Sequence, residues 1–384
     1  MATVLTGALA SASSRAATPT AGASRTVAAW LLACCALVFA MVVVGGITRL
    51  THAGLSITEW QPIVGTIPPL SERDWDDAFA KYRATPEYRQ VNAGMSLAAF
   101  KRIFWWEYAH RLLGRAIGVA FLVPFLWFLW RRRLPRGYAG PLALIFLLGG
   151  AQGALGWYMV ASGLVDDPRV SQFRLTAHLG LAFLIFAAML WTAWSLRAPR
   201  APAREERPWR ATRRWTLAYV ALVFTMVLSG GLVAGLRAGF AYNTFPLMQG
   251  HVIPPEVLML DPAWKNFFWN MATVQLDHRL IAWTLALATP LLWWRIERSA
   301  HMPRRARIGA RLLLAMVAAQ IALGIATLVN VVPLPLAAAH QAGALIVFAL
   351  ALNLVHALSR AVANPASNGD DALRLTRTTG THHG

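Results

Sequence analysis

Apolar residues run in long blocks along this chain, and charges gather in short clusters between the blocks. Val27–Ile47 holds no charged residue, and neither does Gly137–Val165 or Leu336–Ser359. A helix that crosses a bilayer needs about 20 such residues. Eight blocks of this kind predict spans over residues 27–48, 103–130, 138–161, 173–196, 214–236, 268–294, 308–331 and 337–359. The second and sixth open on polar residues, and Arg115 lies inside the second.

The blocks repeat. Ala151-Gln152-Gly153-Ala154-Leu155-Gly156 matches Ala319-Gln320-Ile321-Ala322-Leu323-Gly324 at an offset of 168, and His110-Arg111-Leu112 matches His278-Arg279-Leu280 at the same offset. Thr176–Gly180 resembles Ala338–Gly343, and Gly45-Gly46 matches Gly230-Gly231 at an offset of 185. Each half therefore holds four spans in one order. An even number makes both halves insert the same way round, as parallel repeats about an axis along the membrane normal. The fold expected is an all-α integral membrane protein: eight transmembrane helices as two tandem four-helix bundles related by pseudo-two-fold symmetry. Its parts are a disordered or transit-like tail over 1–26, a first half over 27–197, an Arg- and Pro-rich linker over 198–213, a second half over 214–360 and a disordered tail over 361–384. The loop of about 50 residues after the first span has room for short helices over the outer mouth.

Composition agrees. Of the 384 residues, 57% are hydrophobic and 14% charged, against about 25% charged in soluble domains. The net charge of +19 raises nucleic acid as a partner, but its distribution argues against one. With a cytoplasmic N-terminus, the tails and the even-to-odd connections carry 22 of the 36 basic and 5 of the 17 acidic residues. That asymmetry follows the positive-inside rule and places both termini in the cytoplasm. The two cysteines, Cys34 and Cys35, adjoin inside the first span and read as core residues.

On this topology His110, His178, His278 and His340 open the second, fourth, sixth and eighth spans, so all four lie near the outer face. An ionisable group inside a membrane marks function. Two histidines on two helices of a bundle can share one iron, and the repetition makes two such sites, so the reading is haem with His110, His178, His278 and His340 as axial ligands. Zinc fails for want of Cys or carboxylate ligands in each half. Arg111 and Arg279 follow the first histidine of each half, either to bind haem propionates or to snorkel to the headgroups. The halves differ one turn before those histidines, where the first has Glu107 and the second Gln275. A carboxylate can take a proton or stabilise positive charge, and an amide does neither well. Glu107 is thus the candidate catalytic group, and its alternative role is a helix-surface pair with Arg111.

The run Glu107-Tyr108-Ala109-His110-Arg111, the paired histidines and Gly45–Thr51 resemble the haem A synthase family, and the resemblance covers all eight spans. It implies oxidation of the C8 methyl of haem O to a formyl group, giving haem A for cytochrome oxidase. It also implies a haem b on His278 and His340 in the second half, and a substrate site for haem O on His110 and His178 in the first. The family's functional glutamate maps to Glu107. Some members carry cysteine pairs in the outer loops; this chain has none there and looks like the proteobacterial and mitochondrial version. The resemblance implies the bacterial inner membrane, with haem O synthase and cytochrome oxidase assembly factors as partners. It leaves open the electron donor or acceptor and whether the chain forms a homo-oligomer. The rival readings are a di-haem cytochrome passing electrons between quinol and an acceptor, and a transporter whose helices break at Pro124 and Pro290.

Overall fold

The computed structural model describes residues 21–61, 64–164, 168, 170–198, 209–300 and 302–360. The tail up to residue 20, most of the linker and the tail from 361 lie outside the described residues. Apart from one bridge between Met248 and His251, every regular element among the described residues is helical. The long helices are α1 (Ala21–Leu50), α4 (Leu97–Trp130), α5 (Ala139–Gly163), α6 (Gln172–Arg197), α7 (Arg210–Leu236), α9 (Met271–Arg298), α10 (Arg304–Val329) and α11 (Leu334–Arg360). Between them lie the short helices α2 (Glu72–Arg83), α3 (Pro86–Gln90) and α8 (Asn266–Trp269).

Seven of the long helices are long and apolar enough to cross a membrane, and the chain is an all-helical membrane protein. The sixth expected span falls on α9, which is 28 residues long. It carries Asp277, His278 and Arg279 near its start and Arg295, Glu297 and Arg298 at its end, so its mean hydropathy is lower. Helix ends depart from the apolar blocks where caps decide them. Ser96 accepts a hydrogen bond from Ala99 N (3.2 Å) and starts α4 at Leu97, six residues before the expected block. Asn270 accepts from Ala272 N (2.9 Å) and Thr273 N (3.3 Å) at the start of α9. Helix α1 begins at Ala21 and α7 at Arg210, within the segments read as tail and linker. Pro124 and Pro290 sit inside α4 and α9, and both helices run through them unbroken.

Helices α1, α4, α5 and α6 pack in a circuit, each against the next and α6 back on α1. Helices α7, α9, α10 and α11 do the same, and the circuits meet where α6 touches α7, α1 touches α11 and α6 touches α11. Phe348 of α11 fills that seam, 5.5 Å from Phe183 of α6 and 6.0 Å from Phe224 of α7 between ring centres. Burial follows this arrangement: 56% of the most apolar stretch of α11 is buried, against 6% for α5 on the periphery. Exposed Leu144 and Leu147 of α5, and Leu287 and Leu291 of α9, present apolar surface outward, which suits lipid as the solvent.

The loop after α1 does hold short helices. Ser71 and Asp74 cap α2 reciprocally, with Asp74 N donating to Ser71 Oγ (3.1 Å) and Ser71 N to Asp74 Oδ2 (3.0 Å). Trp75 and Tyr82 of α2 then pack on Phe104 (4.9 Å) and Phe100 (5.1 Å) at the start of α4.

The seam tolerates no extra atom at α7. A Cβ on Gly235 would stand 2.6 Å from the backbone Cα of Gln172 on α6, whereas one on Gly140 would meet nothing within 4 Å. Gly235→Ala should therefore destabilise the detergent-solubilised protein by about 1–3 kcal/mol through overpacking, and Gly140→Ala should be neutral or slightly stabilising. Thermal melts of the two variants check this.

Candidate functional site

Each of the four histidines opens onto a glycine of the helix before it. A Cβ on Gly45 of α1 would stand 3.1 Å from His110 Nε2, and one on Gly156 of α5 would stand 3.1 Å from His178 Cε1. In the second half a Cβ on Gly230 of α7 would stand 3.4 Å from His278 Cε1, and one on Gly324 of α10 would stand 2.8 Å from His340 Cε1. A Cβ at Gly45, Gly156 or Gly324 would crowd the ring, so glycine there lets the imidazole lie flush with the neighbouring helix, whereas at Gly230 the contact would be an ordinary van der Waals one. His110 lies within electrostatic reach of His178, and His278 within reach of His340. The structure thus brings the histidines together by halves.

Two glutamines repeat the theme. Gln152 Nε2 donates to the His178 carbonyl (3.0 Å), and Gln320 Nε2 donates to the His340 carbonyl (2.7 Å). These bonds tie α5 to α6 and α10 to α11 at the depth of the rings. His178 Nδ1 and His340 Nδ1 are buried with no hydrogen-bond partner. An unpaired buried polar atom costs about 1–3 kcal/mol, so these two atoms set His178 and His340 apart from ordinary core residues.

The arginines act on the loops. Arg111 donates to the carbonyls of Ile57 (2.8 Å) and Glu59 (3.1 Å). Arg279 donates to those of Tyr242 (3.3 Å), Thr244 (2.9 Å) and Pro246 (3.2 Å). Ile57 and Tyr242, like Glu59 and Thr244, are separated by 185, the offset of the glycine pairs. One latch therefore closes the loop after the first helix in both halves. Arg279 keeps Nε buried without a partner.

Glu107 and Gln275 use the same place with opposite polarity. Glu107 is buried, and Oε2 accepts from Ser56 Oγ (2.7 Å) and Ile57 N (2.8 Å). Its Oε1 accepts from Arg111 Nε (3.0 Å) and Nη2 (2.6 Å), so the pair with Arg111 expected as an alternative is present. Gln275 instead donates Nε2 to the Tyr242 carbonyl (3.2 Å). The amide has no charge to offer and leaves its Oε1 buried and unpaired.

Further charges gather at the outer seam. Arg49 Nη2 donates to the carbonyls of Ala234 and Gly235 (both 3.3 Å), and Arg237 Nη2 meets His52 Nδ1 at 3.0 Å. His52 and Arg237 are themselves repeat mates with φ of 54° and 57°, each ending the first helix of its half. Glu87 of α3 lies buried nearby, with Oε2 unpaired. At the other end of the molecule, His356 is buried between Trp191 (5.0 Å) and Trp194 (5.6 Å), with Ser195 Oγ 3.3 Å from Nε2. Cys34 and Cys35 are unpaired core residues of α1. Sequence reasoning had the glycines and glutamines in hand as repeat signatures without assigning them a task. Their recurrence in matching motifs of the two halves was the available signal.

The chain matches the family described as Cytochrome oxidase assembly protein over residues 28–352. It is 61% identical over 334 residues to a protein named Heme A synthase from Nitrosospira multiformis, covering 87% of this chain and 94% of that one. A protein of the same name from Nitrosomonas eutropha is 53% identical, and one from Parvibaculum lavamentivorans 48%, with the same coverage of both chains.

Glu87 makes the outer loop sensitive to pH. Burial pushes its carboxyl up to about 7, repulsion from Glu107 adds to this, and Arg49 and Arg237 pull the other way. The ordinary value is 4.5, so the folded state holds a proton that the unfolded chain has lost between these limits. Stability should fall as pH rises through that window and level off above it. Glu87→Gln should flatten the dependence, as read by melting temperature against pH.

Proposed function

The chain belongs to the cytochrome oxidase assembly protein family, and on that premise we propose that it is a haem A synthase that oxidises the C8 methyl of haem O to a formyl group. The observation that carries this reading is the repeated seat: four imidazoles, each against a glycine, gathered two by two within a membrane bundle. The interlocking circuits, with matching motifs in the same order in each half, support two tandem four-helix bundles about a pseudo-two-fold axis, with α9 as the eighth span. Arg131 over Trp130 (4.8 Å) and Arg298 over Trp294 (4.6 Å) fit the basic, aromatic cytoplasmic boundary of a bacterial inner membrane, with both termini on that side.

In this reading His110 and His178 hold the substrate haem O, and His278 and His340 hold haem b. The buried, unpaired Nδ1 atoms and the glycine seats fit such groups. When bound, haem b supplies one-electron redox chemistry. Arg279 Nε is a free donor for an anionic propionate edge, and Arg111 is the corresponding residue on the substrate side. Arg111, Ser56 and Ile57 hold the Glu107 carboxylate at a fixed place one helical turn from His110. There Glu107 takes a proton or stabilises positive charge as the methyl carbon is oxidised. Gln275 at the matching place does neither, which assigns the chemistry to the first half. The latched loop covers the outer mouth and limits water. Haem O synthase upstream and cytochrome oxidase assembly factors downstream are the partners this reaction calls for.

Protein purified from cells that make haem O should yield haem A and hydroxylated haem O on extraction and mass analysis. Glu107→Gln should retain pigment but lose at least about 100-fold in formyl product, the scale of one general acid–base or electrostatic group. Haem b alone, unchanged in Glu107→Gln, would reject the synthase reading. His278→Ala and His340→Ala should each lose bound haem b while His110→Ala keeps it. Retention in both second-half variants would overturn the assignment of halves.

A further inference from the structure

His278 differs from the other three imidazoles in one respect. Its Nδ1 lies 2.8 Å from Ser229 Oγ on α7, the residue just before the Gly230 seat. The serine hydroxyl donates its own proton to the Met226 carbonyl at 2.9 Å. A hydroxyl has one proton, so while that proton is given to Met226, Ser229 Oγ accepts from His278. In that arrangement the ring proton sits on Nδ1, and Nε2 carries the lone pair that a metal takes. The mate of Ser229 in the first half, at the offset of 185, is Val44. Valine offers no acceptor, so this bond has no counterpart on the His110 side.

We propose that Ser229 is a positioning residue that fixes the tautomer and angle of His278 and so makes the second-half site a retaining one. Val44 in its place leaves His110 without that restraint and makes the first-half site one that releases its occupant. This rests on the reading of the second half as the resident haem site and the first as the substrate site. The chemistry supports the division of labour. A cofactor must stay through many turnovers, whereas a product porphyrin has to leave. An outer hydrogen bond to a ligating imidazole raises its basicity and typically changes metal affinity by about 10–100-fold. Ser229 against Val44 joins Glu107 against Gln275 as a difference between the halves beside a histidine.

The test measures haem transfer from the purified, haem b-loaded protein to excess apomyoglobin, which reads release without turnover. Ser229→Val should speed loss of haem b by about 10–100-fold and raise its midpoint potential, because the imidazole becomes a weaker donor. Ser229→Thr keeps the hydroxyl and should restore slow release and the original potential. Val44→Ser, loaded with haem O, should slow release from the first half. An unchanged rate and potential in Ser229→Val overturns the proposal. So does a Ser229→Thr variant that loses haem as fast as the valine, since packing would then be the cause. A wild-type protein that binds no haem b at all would instead reject the functional reading beneath it.

Discussion

The fold turns on the difficulty of keeping imidazoles inside an apolar bundle. A buried polar ring is costly unless something meets it, and a ring at a helix–helix contact needs space that only glycine leaves. The four glycine seats solve the second difficulty, since a Cβ at any of them would come within 3.4 Å of a histidine ring atom. The first is solved in one case by Ser229 on His278 Nδ1. The Nδ1 atoms of His178 and His340 remain buried without a partner.

The same requirement explains the loops. Rings near the outer face need a cover, and the cover must be tied to the helices that carry them. Arg111 and Arg279 do this by donating to carbonyls at matching loop positions. That use of the guanidinium is a further role beside those expected for it, and it leaves Arg279 Nε buried and unpaired. Glu107 joins the first-half latch and Gln275 the second, so the residue that distinguishes the halves is also part of what holds each loop in place.

The sequence repeat gives two copies of this arrangement. The seats and the carbonyl-gripping glutamines are alike in both. Glu107 against Gln275 differs in charge, and Val44 against Ser229 differs in whether the ring has a hydroxyl partner. Both differences lie within one helical turn of a histidine or on the residue facing it.

The sequence by itself determined the membrane class, the order of the helices and the repeats, because apolar run length and periodic recurrence are local properties that survive without coordinates. The apolar blocks missed the cap at Ser96 and the early starts of α1 and α7, since helix ends depend on hydrogen bonds and packing rather than on apolarity alone. Which glycine meets which ring was decided by tertiary structure. So were the direction of Arg111 and Arg279 toward loop carbonyls and the contact of Ser229 with His278 Nδ1. Each of these joins residues on different helices or loops, at distances that only the packed bundle sets.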